Sequence, residues 1–194
     1  MKFFITWIVI PVLTIIVSGP GDWFHINFSV VGSMFPQNMI LLLWAIVIGC
    51  FYHSFTTQTF FQTADFLDTR IEQIMIDFSI TLLIASVFLP YQPSMRPIIS
   101  GLHLIMAFSA SVIFFIAVTI ADIKLYMVEP VLFVLPTALL IMAIVATIGL
   151  LIVCDFLITS ALELFLTLFS CFWLQLFDRQ ISILVKKKRL KFKV

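Results

Sequence analysis

The chain has 194 residues, of which 62% are hydrophobic and 11% are charged. Soluble domains carry about 25% charged residues, so this composition and a mean hydropathy of +1.20 exclude a water-soluble fold. The apolar runs are continuous rather than alternating, which excludes a membrane β-barrel. The formal net charge is only +1, so the distribution of the charges is more informative than their sum.

The first apolar segment runs from about residue 3 to residue 18, and Pro11 is expected to kink it. Its basic start and short apolar core resemble a signal peptide, but we interpret it as a retained first span. Residues 19–38, here called the capping loop, contain one acid, one histidine, two asparagines, three glycines and two prolines. Backbone of this kind is not stable against lipid, so the loop is expected to cap one face of the membrane domain.

Further spans are predicted at about residues 38–55, 74–89 and 98–120. The polar stretch after the second span is expected to form a short interfacial helix, and a turn with three prolines follows the third span. Residues 131–177 are almost unbroken apolar sequence, with only Asp155 and Glu163 charged. As one helix they would be about 70 Å long, more than twice the ~30 Å hydrocarbon core. A turn at Asp155 is therefore predicted, which gives spans at about 131–153 and 156–177.

These segments predict an all-α integral membrane protein, a bundle of six transmembrane helices with both termini in the cytoplasm. Residues 1–178 would form the membrane domain and residues 179–194 a basic cytoplasmic tail. In this topology ten of the eleven Lys and Arg residues lie on the cytoplasmic side, and only Arg96 lies outside, as the positive-inside rule requires. The capping loop would then be non-cytoplasmic. The short loops and the composition favour a bacterial plasma membrane.

Ionisable side chains inside spans are costly and usually functional. At ~1.5 Å per residue, His103 is expected about 7 Å and Glu163 about 10 Å below the face that carries the capping loop. The two are expected to meet there, to bind a polar head group, relay a proton or lock helices together. Asp77 and His53 are placed in the opposite leaflet. The candidate ligand-binding residues are His25, Ser29, Arg96, His103 and Glu163.

The sequence has no recognisable catalytic, metal-binding or phosphate-binding spacing, so no cofactor, metal or nucleic-acid partner is predicted. The three cysteines, Cys50, Cys154 and Cys171, are expected to be small apolar residues of the helices. The expected partners are membrane lipids, with another membrane protein as a further option. Each basic residue near an anionic leaflet contributes about 1 kcal/mol of attraction. The basic tail is thus predicted to anchor the topology or bind anionic lipid through Lys186, Lys187, Lys188, Arg189, Lys191 and Lys193.

Small residues recur along the fourth span at a helical spacing. They are Ala107, Ala110, Ser111, Ala117 and Ala121. Such a stripe lets neighbouring helices approach closely, so this span is predicted to be central in the bundle.

The second half of the capping loop contains Ser29, Gly32 and Pro36 at a spacing that resembles the first-loop pattern of the Frag/DRAM/Sfk family of small multi-span proteins. Val30 and Gln37 stand where that family carries acids. A second match is His103, four residues before Ala107 and shortly after the Tyr91-Gln92 pair. The chain is also similar to bacterial multi-span families of unknown function with an Asn/Ser-Gly first loop. The Frag/DRAM/Sfk resemblance implies a role in handling membrane lipid, of the kind associated with GPI-lipid remodelling and autophagy.

These observations favour a non-enzymatic membrane protein that binds or organises membrane lipid or a membrane partner, with the capping loop over the bundle. A small proton-coupled transporter and a lipid-modifying enzyme, each using His103 and Glu163, stay open as alternatives. Against the transporter, paired breaks within the spans are absent from the sequence. Against the enzyme, no nucleophile and base are recognisable by spacing.

Overall fold

The structure is a computed structural model that describes residues 4–19, 22–33, 37–64, 66–155 and 157–191, with the side chains of residues 37 and 189–191 left out. Within these ranges it contains helices and no strand. A π-helical turn, Ile5–Val9, precedes seven α-helices. They are α1 (Ile10–Ser18), α2 (Phe28–Gly32), α3 (Gln37–Phe61), α4 (Arg70–Phe88), α5 (Pro97–Val128), α6 (Pro130–Val153) and α7 (Ser160–Lys191).

Five of these helices, α3 to α7, are long and apolar enough to cross a membrane. The chain is therefore a multi-pass membrane protein with five candidate transmembrane helices. The first apolar helix, Ile5–Ser18, is shorter, at about 21 Å against a hydrocarbon core of ~30 Å. The irregularity expected at Pro11 takes the form of the π-helical turn before it, because proline has no N–H to donate and its ring crowds the carbonyl one turn back.

Several helices run beyond the predicted apolar spans. The polar stretch after the second span forms no separate interfacial helix: α3 continues to Phe61 and α4 begins at Arg70. The link between α5 and α6 shrinks to Glu129 alone. The first residues of the predicted cytoplasmic tail, from residue 179 onward, belong to α7, which is helical to Lys191. Polar side chains near the end of α3 have partners on other helices, as when the Thr59 hydroxyl donates to Oδ1 of Asp178 of α7 at 2.8 Å.

The turn between α6 and α7 lies where the sequence predicts it. Helix α6 ends at Val153, and Asp155 has a φ of +52°. Asp is one of the few residues other than glycine that adopts this left-handed conformation readily. The last helix begins four residues later than the predicted span, at Ser160.

The helices form a ring. Contacts follow the order α1, α3, α4, α5, α6 and α7, and α7 returns to α1, while α3 also meets α7. The short α2 lies against α1 and α3. We call the end of the ring that carries α2 and the α4–α5 and α6–α7 turns the loop end, and the opposite end, where α7 finishes, the tail end.

Aromatic rings fill the middle of the bundle and its tail end. Trp173 stacks on Phe177 with 4.5 Å between ring centroids, and Phe133 meets Phe177 edge-on at 5.8 Å. Tyr52 of α3 stacks on Phe114 of α5 at 4.6 Å. All five side chains are buried, so this part of the ring has a packed centre.

Three of the five small residues of the α5 stripe are packed against its neighbours, as expected, whereas Ala107 and Ser111 line the wall of a cavity. Ala110, Ala117 and Ala121 are at most 2% exposed. The Ala110 carbonyl accepts a hydrogen bond of 2.7 Å from the Ser79 hydroxyl of α4. Helix α5 is nevertheless one member of the ring, between α4 and α6, rather than a central post.

Candidate functional site

The capping loop is bonded to the start of α7. The backbone N–H of Ser160 donates to the Ile26 carbonyl at 2.6 Å, and the N–H of Ala161 donates to the Trp23 carbonyl at 2.9 Å. The first N–H groups of a helix have no acceptor within that helix, so the loop supplies acceptors that α7 lacks. The Trp23 indole also donates to the Gly19 carbonyl at 3.0 Å, which folds the loop back on itself.

The short helix α2 within this loop is capped from two directions. Asn27 is its N-cap residue, and its Oδ1 accepts the N–H of Val30 at 2.9 Å, as preferred N-cap residues do. Glu163 of α7 reaches across, and its Oε2 accepts the N–H of Phe28 at 2.7 Å. The partly buried carboxyl group of Glu163 therefore holds the loop by its backbone.

His103 of α5 ties together three parts of the chain. It is 3% exposed, and its Nδ1 lies 2.7 Å from the Ser86 carbonyl and 2.9 Å from the Leu89 carbonyl. Carbonyl oxygens only accept, so Nδ1 carries the ring proton. The Nε2 then accepts the hydroxyl of Ser29 at 2.7 Å. The end of α4, the start of α5 and the capping loop meet at this imidazole.

Both residues of the expected pair lie beneath the capping loop, but they do not bond to one another. Glu163 contacts Phe28 and His103 contacts Ser29, the next residue of the loop. The expectation of a direct contact is corrected for a simple reason: α2 lies between the two side chains. The loop itself is the link between α5 and α7.

Two glycines let the capping loop lie close to the helices. A Cβ at Gly32 would sit 2.4 Å from the end of the Leu41 side chain of α3, so a larger residue at this position would require that side chain to move. Gly19 has a φ of +66°, which favours glycine. Pro36, the third residue of the family-like pattern, lies outside the described residues.

A cavity of about 590 Å³ opens beneath α2, inside the loop end of the ring. Its ionisable and amide side chains, His103, Glu163 and Asn27, lie under the loop together with Ser29. The rest of its wall is mainly apolar, with hydroxyl groups at Ser111, Thr119, Thr147 and Thr167. Along α5 it extends from His103 to Ile120, about 25 Å at 1.5 Å per residue. Helices α3 to α7 all contribute to the wall.

The stacked rings of Tyr52 and Phe114 do not line this cavity, which runs past Phe114 to Ile120 along α5. A smaller cavity of about 70 Å³ lies against them and shares several wall residues with the larger one. The Tyr52 hydroxyl is hydrogen-bonded to the Ser170 hydroxyl. The Tyr52–Phe114 stack therefore lies beside the larger cavity rather than at its end.

Among its described residues, the cavity wall has one acidic side chain, Glu163, and neither Lys nor Arg. The other ionisable residue of the wall described here is His103. Glu163 uses Oε2 for Phe28, which leaves Oε1 as an acceptor. Asn27 uses Oδ1 for Val30, which leaves its amide NH₂ as a donor.

His25 and Arg96, two of the predicted ligand-binding residues, are not part of this cavity. The His25 side chain is 76% exposed, and its Nδ1 lies 2.6 Å from Oδ2 of Asp22. The Phe24 backbone N–H, and then His25, lower the pKa of Asp22 below its ordinary value of 3.8. Arg96 is exposed just before α5. Both residues lie on the surface at the loop end because turns, not helix interiors, carry them.

Polar residues at the tail end pair with one another. His53 and Asp77, predicted in the same leaflet, are 2.7 Å apart. Lys187 forms an ion pair with Glu129 at 2.9 Å. The ammonium of Lys188 lies 3.7 Å from the centre of the Phe66 ring.

The rest of the predicted anionic-lipid tail is only partly described. Lys186 is exposed on α7. Arg189 and Lys191 belong to α7, but their side chains are outside the description, and Lys193 lies beyond the described residues. At least the first turn of this basic segment therefore continues the membrane helix.

Within the described ranges, no group of three His, Cys, Asp or Glu side chains is placed to hold a metal ion. All three cysteines are free thiols, with Cys154 and Cys171 buried and Cys50 exposed. Comparison with family models, curated proteins and solved structures found no match to this chain.

Proposed function

We propose that this protein is a non-enzymatic integral membrane protein that binds a membrane lipid or a similar amphiphile beneath its capping loop. One observation carries the proposal: an elongated, mainly apolar cavity whose ionisable and amide side chains lie at the end covered by an ordered loop. An amphiphile has the same division, with one polar end and one apolar end. A membrane partner of the protein would meet the outer faces of the helices instead.

The size of the cavity supports a single-chain ligand. Sites for small molecules range from about 300 to 1,000 Å³, are mainly apolar and contain a few placed polar groups. At about 30 Å³ per water-sized group, 590 Å³ takes on the order of 20 non-hydrogen atoms. Its length of about 25 Å exceeds the ~15 Å depth of one leaflet of a ~30 Å hydrocarbon core.

The proposed topology has six spans, with Ile5–Ser18 as a short first one, in a bacterial plasma membrane. Both termini are cytoplasmic, and the cavity opens in the outer leaflet. The support is the positive-inside count, ten basic residues against one. The basic end of α7 would then contact the anionic inner leaflet. The lipid-handling role implied by the Frag/DRAM/Sfk resemblance agrees with this proposal and stays a prediction.

Lipid analysis of the purified protein tests the proposal. Ala107 lines the cavity one helical turn from His103, whereas Ala146 of α6 is exposed on the outside of the ring. We expect native mass spectrometry to find an amphiphile bound to the wild type and to Ala146→Trp, and not to Ala107→Trp, in which the indole occupies the cavity. A wild type without bound amphiphile, or an Ala107→Trp variant that retains it, contradicts the proposal.

A second candidate function, a lipid-modifying enzyme, is favoured by one contact. The Ser29 hydroxyl lies 2.7 Å from Nε2 of His103, and two carbonyls orient that ring. A hydroxyl held by an oriented base is the arrangement of a nucleophilic serine. A fluorophosphonate probe tests it: an adduct on Ser29 that is lost in His103→Gln supports the enzyme, and an unmodified Ser29 rejects it.

A further inference from the structure

The polar end of the cavity favours one class of head group. Glu163 Oε1 and the Ser29 oxygen are acceptors there, and the Asn27 amide is a donor. The cavity wall contains no Lys or Arg among its described residues. A buried charge without a partner of opposite sign is very costly. A phosphate or carboxylate head would be in that position here, next to an acidic side chain.

From this geometry we infer that the ligand is a single-chain amphiphile whose head donates hydrogen bonds and carries no negative charge, a hydroxyl or an amine. The inference rests on the proposed function, since it specifies the ligand of the same cavity. The head donates to Oε1 of Glu163, and a hydroxyl head also accepts from the Asn27 amide. The chain follows the mainly apolar wall along α5 toward Ile120.

The two kinds of head group differ in how they use Glu163. A protonated amine gains from the carboxylate charge, because hydrogen bonds between ionised groups are about twice as strong as neutral ones. A hydroxyl can also accept a hydrogen bond, which a protonated amine cannot. Glu163→Gln therefore separates them, because the one amide oxygen of Gln accepts the Phe28 N–H and holds the loop, while its NH₂ can donate to a hydroxyl but not to a protonated amine.

A series of ligands with one chain and four heads tests the inference. Hexadecanol, hexadecylamine, hexadecyl phosphate and hexadecyl methyl ether are titrated onto the detergent-solubilised full chain, and each Kd is measured by native mass spectrometry. We expect the alcohol and the amine to bind at least tenfold more tightly than the phosphate and the ether. The phosphate carries an unpaired negative charge, and the ether has no donor.

Variants then assign the effect to Glu163. Glu163→Gln is expected to weaken the amine at least fivefold and to leave the alcohol within twofold. The control is Asp155→Asn, which removes an acid at the same end outside the cavity wall, at a left-handed position that Asn tolerates. It is expected to change none of the four values.

The possible outcomes distinguish a failure of the proposed function from a failure of the head-group inference. If none of the four ligands binds, the proposed function fails. If all four bind equally, or the phosphate binds most tightly, the cavity takes amphiphiles and the head-group inference is overturned. An amine whose affinity is the same in Glu163→Gln overturns the role of the carboxylate. The wild-type series stands without any variant, so poor folding of Glu163→Gln would not remove the test.

Discussion

The loop end and the tail end of the ring use polar side chains in different ways. At the loop end, Glu163 binds the capping loop, His103 joins that loop to the end of α4, and a cavity lies between the helices. At the tail end, Thr59 of α3 donates to Asp178 of α7, and Thr137 of α6 donates to Asp122 of α5. Helix-to-helix bonds there accompany a packed aromatic centre.

This difference indicates that the tail end stabilises the ring, while the loop end contains the cavity. Helices in lipid gain little from hydrophobic burial, and packing and interhelical hydrogen bonds hold them together. The tail end provides both, including the Glu72–Lys124 ion pair of α4 and α5. The loop end is free to contain an unfilled space because the capping loop, bonded to α5 and α7, closes it.

The largest expected effect breaks the packed end. Phe177 is 1% exposed and stacked on Trp173, whereas Phe108 is 49% exposed and lines the cavity. Phe177→Ala should lower stability by about 3–5 kcal/mol, as large-to-small changes in packed cores do, while Phe108→Ala should cost much less. Thermal unfolding in detergent measures both. Equal losses would contradict a packed tail end and a hollow loop end.

The next effect releases the capping loop. Glu163→Ala leaves the Phe28 N–H without its acceptor, which costs about 1–3 kcal/mol for a buried group. We expect a lower melting temperature and faster amide hydrogen exchange in residues 22–33. Glu163→Gln, which retains an acceptor, is the matched control and should exchange nearly as the wild type does. If the two variants behave alike, the carboxyl group does not hold the loop through this bond.

A smaller effect concerns the ion pair at the tail end. The Lys187 side chain is 46% exposed, and its partner Glu129 is 22% exposed. Exposed pairs contribute about 0–1 kcal/mol, so Lys187→Ala should lower the melting temperature only slightly, and less at high salt. Lys186→Ala, at an exposed neighbouring position, serves as the comparison. A loss as large as that of Phe177→Ala would show that the pair is not solvent-screened.

The smallest effect is the pH dependence of the capping loop. The Phe24 N–H and His25 lower the pKa of Asp22 in the folded protein, so the carboxylate binds protons less readily folded than unfolded. Its contribution is therefore present above the unfolded pKa and is lost as the pH falls through the lowered folded value. An NMR titration of Asp22 should have its midpoint below 3.8. A midpoint at or above that value would show that these contacts do not form.

Much of the helical architecture follows from hydrophobicity alone, because a long apolar run in lipid has to satisfy its backbone within a helix. That argument also places the turn at Asp155, the one acid near the middle of a run too long for one span. The hydrophobicity argument underestimates the lengths of the helices, because it ends each predicted span where polar residues begin. Ile181 and Leu184 are three residues apart, a spacing that places both on one face of a helix and predicts the extension of α7. Both side chains are fully buried.

The sequence predicts where the candidate site lies, but not which residues contact one another within it. Counting residues along the spans places His103 and Glu163 in one layer under the loop, where both lie. It cannot show that a five-residue helix separates them, because that contact depends on the backbone of Phe28. Asn27 before an apolar stretch is an N-cap signal that would have indicated α2. His25 and Arg96 were chosen by residue type, and the turns carry both away from the cavity.

The most direct test of the cavity is to find where a bound amphiphile lies. A hexadecanol analogue with a diazirine in its chain is photolysed on the purified protein, and the adducts are located by peptide mass spectrometry. Trp44, Ala143 and Leu162 line the cavity and are each less than 9% exposed, so lipid outside the ring does not reach them. We predict adducts on these residues that unlabelled hexadecanol abolishes. Adducts confined to the outer faces of the helices, or unaffected by the competitor, would contradict the account.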